Sequence, residues 1–294
     1  MKTMIAGLMM ITAVCQAQIK VASLHPLIAD LARQVGGDRV QVVELLKAGD
    51  DVHHFEPSSK AIAEMKGCAL ILASGKHLES YLDKLRDSVG GIPVIEVGRT
   101  IPSIKIAPGN ELFMCCPAHA VGGIDPHWWH SADNIDRALR AIGDEFIKVD
   151  SAGKDSYKAN VSVARERIAG LKSWAQQQLS AIPRGERKLV TGHAAFSYFC
   201  KEFGFKSVPI LGISRQDEAS AQYAVEAVKI IKDNNIRAAF PEDQANPKTL
   251  KEIVRETGVK LGDPLIADGT SPKAHTFEAM LRHNVAAIVK ALAP

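Results

Sequence analysis

The sequence predicts an α/β protein of two lobes, each a mostly parallel sheet flanked by helices, joined by one long rigid helix. Apolar strand-like segments alternate with segments of helical spacing in both halves of the chain, which is typical of parallel sheets covered by helices. Between the halves, residues 155–183 keep helical spacing with one glycine. As a single helix this segment would be roughly 40 Å long, enough to connect two lobes.

The first half alternates strictly from its first strand onward. Glycines end the first helix, and the apolar spacing changes from period 2 in strands to period 3.6 in helices. An irregular segment at residues 101–123 follows, and Ser131 is placed to cap the next helix. The predicted strands are "IKVAS", "VQVVELL", "ALILAS" and "PVIEVG", and the helices are "HPLIADLARQVGG", "SKAIAEMKGC", "HLESYLDKLRDSVGG" and "SADNIDRALRAIGDEFIKV".

The second half repeats the alternation. Its predicted strands are "KLVTG", "SVPILGI", "IRAAFPE" and "VKLGDPL", and its helices are "AAFSYFCKEFG", "SAQYAVEAVKIIKDNN", "PKTLKEIVRETG" and "TFEAMLRHNVAAIVKALA". We therefore expect a signal peptide at 1–17, an N-terminal α/β lobe at 18–150, a connecting helix at 151–183 and a C-terminal α/β lobe at 184–294.

The N-terminus predicts export. It has one early lysine and an apolar run from Met4 to Val14, too short to span a bilayer. This pattern fits a secretory signal peptide cleaved near Ala17, and so a periplasmic protein. The alternative is a lipoprotein with Cys15 as the lipidated residue. It is weaker because Val14 stands where a small residue is expected.

Composition excludes several classes of protein. Among 294 residues, 46% are hydrophobic and 23% charged, which is typical of a soluble globular chain. The net charge of +3 is too small to indicate binding to nucleic acid.

After export, disulfides become possible, but the remaining four cysteines allow three pairings and the sequence does not choose among them. They are Cys68, Cys115, Cys116 and Cys200, of which the first and last also fit buried thiols.

Four polar residues stand just past a strand or at a loop-to-helix junction: His53, His127, His193 and Asp263. Ligands of parallel α/β sheets bind beyond the carboxyl ends of the strands. Two of the four residues fall in each lobe, so a shared site would lie in the cleft between the lobes. No short-spacing zinc motif is present, so position alone is a weak signal.

Each position also has a structural explanation. His53 with His54 fits a solvated turn, and His127 fits packing against a neighbouring tryptophan. His193 is placed to cap the helix that follows it, and Asp263 precedes a proline, a common turn pair.

Four segments, taken together and in order, carry a family resemblance: "DVHHFEP", "DPHWW", "GHAAFSYF" and "LGDPLIADG" followed by "TFEAMLRHN". Over nearly the whole mature chain the sequence resembles the zinc/manganese-specific solute-binding proteins of bacterial ABC importers. The resemblance implies a metal site in the cleft whose ligands are His53, His127, His193 and Asp263. It places His53, not His54, on the ligand position. Asp268 competes with Asp263 but lies further into the loop.

This ligand set predicts zinc. Three imidazoles and one carboxylate suit a tetrahedral zinc ion, whereas manganese prefers more oxygen ligands. Manganese-type relatives often carry a carboxylate where this chain has His193. A metal-bound histidine usually donates its other N–H to a carboxylate or carbonyl. The candidates for that role are Glu56, Asp125, Glu218 and Glu242.

The chain departs from the family pattern at several places. Val52 replaces a proline, and Ala194 replaces an aspartate. The long loop rich in histidine and acids is missing, and its place is taken by "CCPAH", which ends at His119 and fits a structural loop or a soft-metal site.

The resemblance implies high-affinity binding of zinc outside the cytoplasm and delivery to an ABC importer permease with a cytoplasmic ATPase. We expect a monomer that is not an enzyme. The alternatives are a manganese-binding homologue, a surface adhesin and an exported zinc hydrolase with Glu242 as base, although no HExxH motif supports the last.

Overall fold

A computed structural model describes residues 18–105, 123–209, 221–243 and 248–294. Within these ranges the chain forms two four-stranded parallel sheets. The strand order is β2-β1-β3-β4 in the first sheet and β6-β5-β7-β8 in the second. The strands are β1 (Ile19–Ser23), β2 (Val40–Glu44), β3 (Leu70–Ala73), β4 (Val94–Glu96), β5 (Lys188–Thr191), β6 (Lys206–Pro209), β7 (Ala238–Phe240) and β8 (Lys260–Leu261).

The two sheets therefore share one topology, since each places its first strand between its second and third. In such a sheet the connections leave the first strand toward opposite sides, and this opens a crevice at the carboxyl ends of the strands. The predicted fold class, two lobes of parallel sheets flanked by helices, is confirmed.

Nine α-helices lie in the described ranges, and none of them combines the length and apolarity that a membrane crossing requires. They are α1 (Pro26–Gly36), α2 (Ser59–Met65), α3 (Leu82–Ser88), α4 (Ala132–Val149), α5 (Lys154–Leu179), α6 (Ser197–Phe203), α7 (Ala221–Asp233), α8 (Lys248–Thr257) and α9 (Phe277–Leu292).

The long helix α5 has 26 residues, which corresponds to about 39 Å. It packs against α1 and α4 on the side of the first sheet and against α9 on the side of the second. Its buried residues belong to a hydrophobic core that runs continuously through both lobes. Two smaller cores cover the outer faces of the sheets.

Local capping explains several helix starts. Ser131 caps α4 as predicted, since its side chain accepts a hydrogen bond from the backbone N–H of Asn134. His25 caps α1 in the same way, with its ring nitrogen accepting from Leu27 N–H.

Helix α3 is shorter than the sequence predicted. The prediction began at His77, whereas the helix begins at Leu82. The intervening residues form a turn in which the Glu79 carboxylate accepts hydrogen bonds from the backbone N–H groups of Ser74 and Gly75. Lys76 and His77 take left-handed φ angles of 56° and 63° in this turn, which an α-helix does not permit.

Cys68 and Cys200 are buried free thiols. Cys115 and Cys116, together with His119, lie outside the described residues.

Candidate metal centre

Three histidines and one aspartate meet in the cleft between the two sheets. One ligand atom from each of His53, His127, His193 and Asp268 lies within 4.8 Å of the others. All four side chains are buried, with exposed fractions of 3%, 0%, 8% and 2% respectively. The structure thus brings together the three histidines that the sequence singled out.

The fourth member is not the aspartate that we expected. Asp263 lies on the surface with its side chain 50% exposed, and it pairs with Lys290 at 2.8 Å. The Lys290 ammonium holds the pKa of the Asp263 carboxyl below its usual value, as an exposed ion pair would. The structure does not bring Asp263, the expected ligand, into the cluster, and Asp268 lies there instead.

The register of the second sheet explains the difference. Strand β8 pairs with β7 only through Lys260 and Leu261, and the chain then runs on to Leu265, which bridges to Glu242. Asp263 therefore lies two residues past β8 and still short of the sheet edge. Asp268 lies beyond the bridge and reaches the cleft. The apolar run "LIA" before Asp268 was the available signal, because those residues are buried like a strand.

Distances between the ligand atoms fit a small cation. His53 Nε2 lies 3.1 Å from Asp268 Oδ1 and 3.3 Å from His127 Nε2, and the His127 and His193 Nε2 atoms are 3.2 Å apart. Asp268 Oδ1 lies 3.9 Å from each of the other two Nε2 atoms. A tetrahedral zinc site with ligand bonds of about 2.0–2.1 Å has edges of about 3.3–3.4 Å between ligand atoms.

Hydrogen bonds fix the tautomers of two histidines. His127 donates from Nδ1 to Asp125 Oδ1 at 2.8 Å, and His193 donates from Nδ1 to Glu242 Oε2 at 2.7 Å. An ionised carboxylate only accepts, so a neutral ring bound in this way carries its lone pair on Nε2. Two lone pairs therefore face each other in the centre of the cluster, an arrangement that a bound cation stabilises.

The same carboxylates also hold the backbone. Asp125 Oδ1 accepts the backbone N–H of His127 at 2.9 Å, and Glu242 Oε1 accepts that of His193 at 2.8 Å. Asp125 and Glu242 are both buried. Of the four predicted carboxylate partners, these two orient cluster histidines. Glu56 is exposed and is not brought into the cluster, and Glu218 lies outside the described residues.

The stretch that carries His53 is ordered by a different acid. Asp51 Oδ1 accepts the backbone N–H of His53 at 2.9 Å, and Asp51 Oδ2 pairs with His54 Nδ1 at 3.0 Å. His54 is 42% exposed and points out of the cluster. The proline missing at position 52 leaves a buried valine.

Two further buried histidines lie around the cluster, and sequence reasoning missed both. The ring of His25 packs 4.6 Å from the ring of Trp129, and His130 Nε2 donates to the carbonyl of Ala267 at 2.6 Å. Burial lowers the pKa of His25 to about 3 and that of His130 to about 4, so both rings are neutral near pH 7.

Comparisons with known proteins find relatives that bind metal ions. The family model described as the periplasmic component A of the zinc-uptake complex matches residues 21–291. The manganese-binding lipoprotein MntA of Bacillus subtilis is 30% identical over 94% of this chain and 90% of its own. The iron-binding protein YfeA of Yersinia pestis is 28% identical over 93% of this chain and 86% of its own.

A solved structure shows the same fold. The periplasmic zinc-binding protein TroA from Treponema pallidum superimposes with a TM-score of 0.83 at 23% identity, covering 95% of this chain and 100% of that one. The names of these relatives include zinc, manganese and iron, so the comparisons support binding of a metal ion without choosing among them. On its sequence, its two-lobed fold and its buried cluster, the chain belongs to the zinc-uptake component A family of metal-binding, solute-binding proteins of ABC transporters.

Proposed function

We propose that this protein captures a zinc ion in the cleft and delivers it to the permease of an ABC importer. In this proposal His53, His127, His193 and Asp268 are the ligands. The observation that carries it is the convergence of the His127 and His193 Nε2 atoms, 3.2 Å apart, with both Nδ1 atoms committed to carboxylates.

The donor set supports zinc over manganese. Three imidazole nitrogens and one carboxylate oxygen are the ligands of tetrahedral zinc, whereas manganese takes more oxygen donors. The distances of 3.1–3.9 Å between ligand atoms scatter around the tetrahedral zinc edge of about 3.3–3.4 Å. Asp125, Glu242 and Asp268 place up to three negative charges at this buried centre, which a divalent cation offsets.

The site supports transport better than hydrolysis. A catalytic zinc usually keeps an open position for water and a nearby general base. Here Asp268 fills the fourth position, and Glu242 is bound to His193 by both its oxygens.

We further propose an exported, monomeric protein with an N-terminal lobe at 18–150, a connecting helix at 151–183 and a C-terminal lobe at 184–294.

The proposal is tested by titrating metal-free mature protein with zinc and with manganese, each in competition with a chelator of known affinity. We expect about one zinc per chain and weaker binding of manganese. Tighter binding of manganese than of zinc would refute the metal assignment, and the absence of any stoichiometric metal binding would refute the function.

A matched pair of variants tests the choice between neighbouring histidines. His53→Ala removes a ligand and is expected to lose most zinc affinity. His54→Ala is expected to bind zinc nearly normally, because Asp51 still accepts the backbone N–H of His53. Equal losses in the two variants would contradict the assignment of His53.

A further inference from the structure

One backbone carbonyl next to the cluster is held from across the cleft. The Ala267 carbonyl accepts two hydrogen bonds, from Trp129 Nε1 at 3.0 Å and from His130 Nε2 at 2.6 Å. Both donors are buried, with exposed fractions of 0% and 1%. They lie in the short 3-10 turn Trp128–His130 that directly follows His127, and Ala267 directly precedes Asp268.

The turn that supplies these donors is anchored on the first sheet. Trp128 Nε1 donates to the Ser74 hydroxyl at 2.9 Å, one residue past β3. The Asn134 side chain also binds the Trp128 carbonyl at 3.1 Å from the first turn of α4. These bonds attach the turn that carries Trp129 and His130 to the lobe that carries His53 and His127, and the ring of His130 also packs 4.4 Å from that of Phe196 in the second lobe.

The residues before Ala267 are held instead by the second lobe. The Asn284 side chain on α9 pairs with both backbone groups of Ile266, accepting its N–H at 2.8 Å and donating to its carbonyl at 2.9 Å. Leu265 N–H donates to the Pro241 carbonyl at 2.8 Å, and the Leu265 carbonyl accepts from Asp243 N–H at 2.9 Å. The contacts to the second lobe and those to the first thus fall on the adjacent carbonyls of Ile266 and Ala267.

We propose that Trp129 and His130 are positioning residues that hold the Ala267 carbonyl and thereby keep Asp268 at the distance from the histidines that metal binding requires. This inference rests on the proposed function. The Ala267 carbonyl is held by the first lobe and the residues just before it by the second, so the backbone next to Asp268 is attached to both lobes. When the lobes separate, the two hydrogen bonds to Ala267 break and the carboxylate is withdrawn from the ion. Release of zinc is therefore coupled to the loss of these two bonds.

The two neighbouring tryptophans offer a matched comparison. Trp129→Phe removes the indole N–H that binds Ala267, and Trp128→Phe removes an equally buried indole N–H that binds Ser74. We expect Trp129→Phe to release zinc about tenfold faster, the lower end of the usual effect of outer partners on metal sites. Trp128→Phe loosens the anchor of the turn on Ser74 but leaves both hydrogen bonds to Ala267 in place, so it is expected to accelerate zinc release less than Trp129→Phe does. His130→Phe removes the other donor, keeps an aromatic ring against Phe196, and is expected to behave like Trp129→Phe.

The ring of Trp129 also lies 5.2 Å from that of His127, so Trp129→Phe could act on zinc release through lost packing rather than through Asp268. A double-mutant cycle with Asp268→Ala separates these two effects. In an Asp268→Ala background, Trp129→Phe is expected to have no further effect on zinc dissociation. In the cobalt-substituted protein, Trp129→Phe is expected to shift the visible d–d bands that report the ligand geometry, and Trp128→Phe is expected to shift them less.

The outcomes are distinguishable. If the wild-type protein binds no zinc, the proposed function itself fails. If it binds zinc but Trp129→Phe and Trp128→Phe release it at the same rate, the inference fails alone. An equal effect of Trp129→Phe with and without Asp268 would also overturn it, since the tryptophan would then act through another residue.

Discussion

Replacing Asp268 by alanine is expected to remove one of four ligands from the proposed zinc site while leaving the fold intact. The Asp268 carboxylate lies 3.1 Å from His53 Nε2 and 3.9 Å from the Nε2 atoms of His127 and His193. Structural zinc sites with four ligands contribute about 10–16 kcal/mol of binding free energy. An equal share per ligand is about 2.5–4 kcal/mol, so the variant is expected to bind zinc about 70- to 900-fold more weakly.

Asp263→Ala is the matched control, since it removes the other aspartate of the same loop. The Asp263 ion pair with Lys290 is exposed, with side-chain exposures of 50% and 69%. Such a pair contributes at most about 1 kcal/mol to the free energy of unfolding. We therefore expect normal zinc affinity and a nearly unchanged melting temperature.

Zinc affinity of both variants is measured by competition with a chelator of known affinity, and unfolding of the metal-free proteins by circular dichroism. A loss of affinity in Asp263→Ala equal to that in Asp268→Ala would refute the reasoning from strand register. So would normal affinity in Asp268→Ala.

Two further predictions concern buried partners of the site. Glu242→Gln keeps the size of the side chain but replaces one of the two oxygens that accept hydrogen bonds from His193. It is expected to weaken zinc binding about 10- to 100-fold in the same competition assay. Unchanged affinity would show that Glu242 does not affect zinc binding by His193. Burial lowers the pKa of His25 to about 3. Between pH 3 and about 6.5 the unfolded chain therefore binds a proton at this residue that the folded chain does not. For this group, the free energy of unfolding of the metal-free protein falls by up to about 1.4 kcal/mol for each unit by which the pH is lowered. His25→Asn retains a side chain that can cap Leu27 N–H, and it is expected to reduce this pH dependence in urea unfolding at pH 5 to 6.5. The control variant His275→Asn, at an exposed histidine, is expected to leave the pH dependence unchanged. Equal pH dependence in the two variants would contradict the burial argument.

Much of the fold was predictable because the apolar pattern carries it. Buried parallel strands read as short apolar runs, and α5 keeps helical spacing throughout its 26 residues. The start of α3 was not predictable in this way. There the Glu79 carboxylate binds two backbone N–H groups and holds a left-handed turn where helical spacing continued. Burial raises the pKa of Glu79 to about 7, a state that no local sequence pattern reveals.

The candidate site was predictable in part for a similar reason. His193 lies two residues past the end of β5, so its place at the carboxyl edge could be inferred from the strand alone. The apolar run before Asp268 indicated a buried, strand-like segment, but the place of Asp268 in the cluster also depends on how far the chain runs past β8 before it meets the cleft. The bridge between Glu242 and Leu265 sets that length, and it is a tertiary contact.

The roles of Trp129 and His130 could not be predicted either. Each donates a hydrogen bond to the backbone carbonyl of Ala267. Every residue has such a carbonyl, so the sequence does not reveal which one is the acceptor. Contacts to the backbone of a distant segment can be identified only from the packed structure. The carboxylate that holds His127 could be predicted, because Asp125 lies only two residues before it in the sequence.

The most direct test of the central claim is anomalous diffraction at the zinc absorption edge from crystals of the mature protein loaded with one equivalent of zinc. The account predicts a single strong peak at bonding distance, about 2.0–2.2 Å, from His53, His127, His193 and Asp268. A peak bound through Asp263, or a zinc ion held outside this cluster, would contradict it.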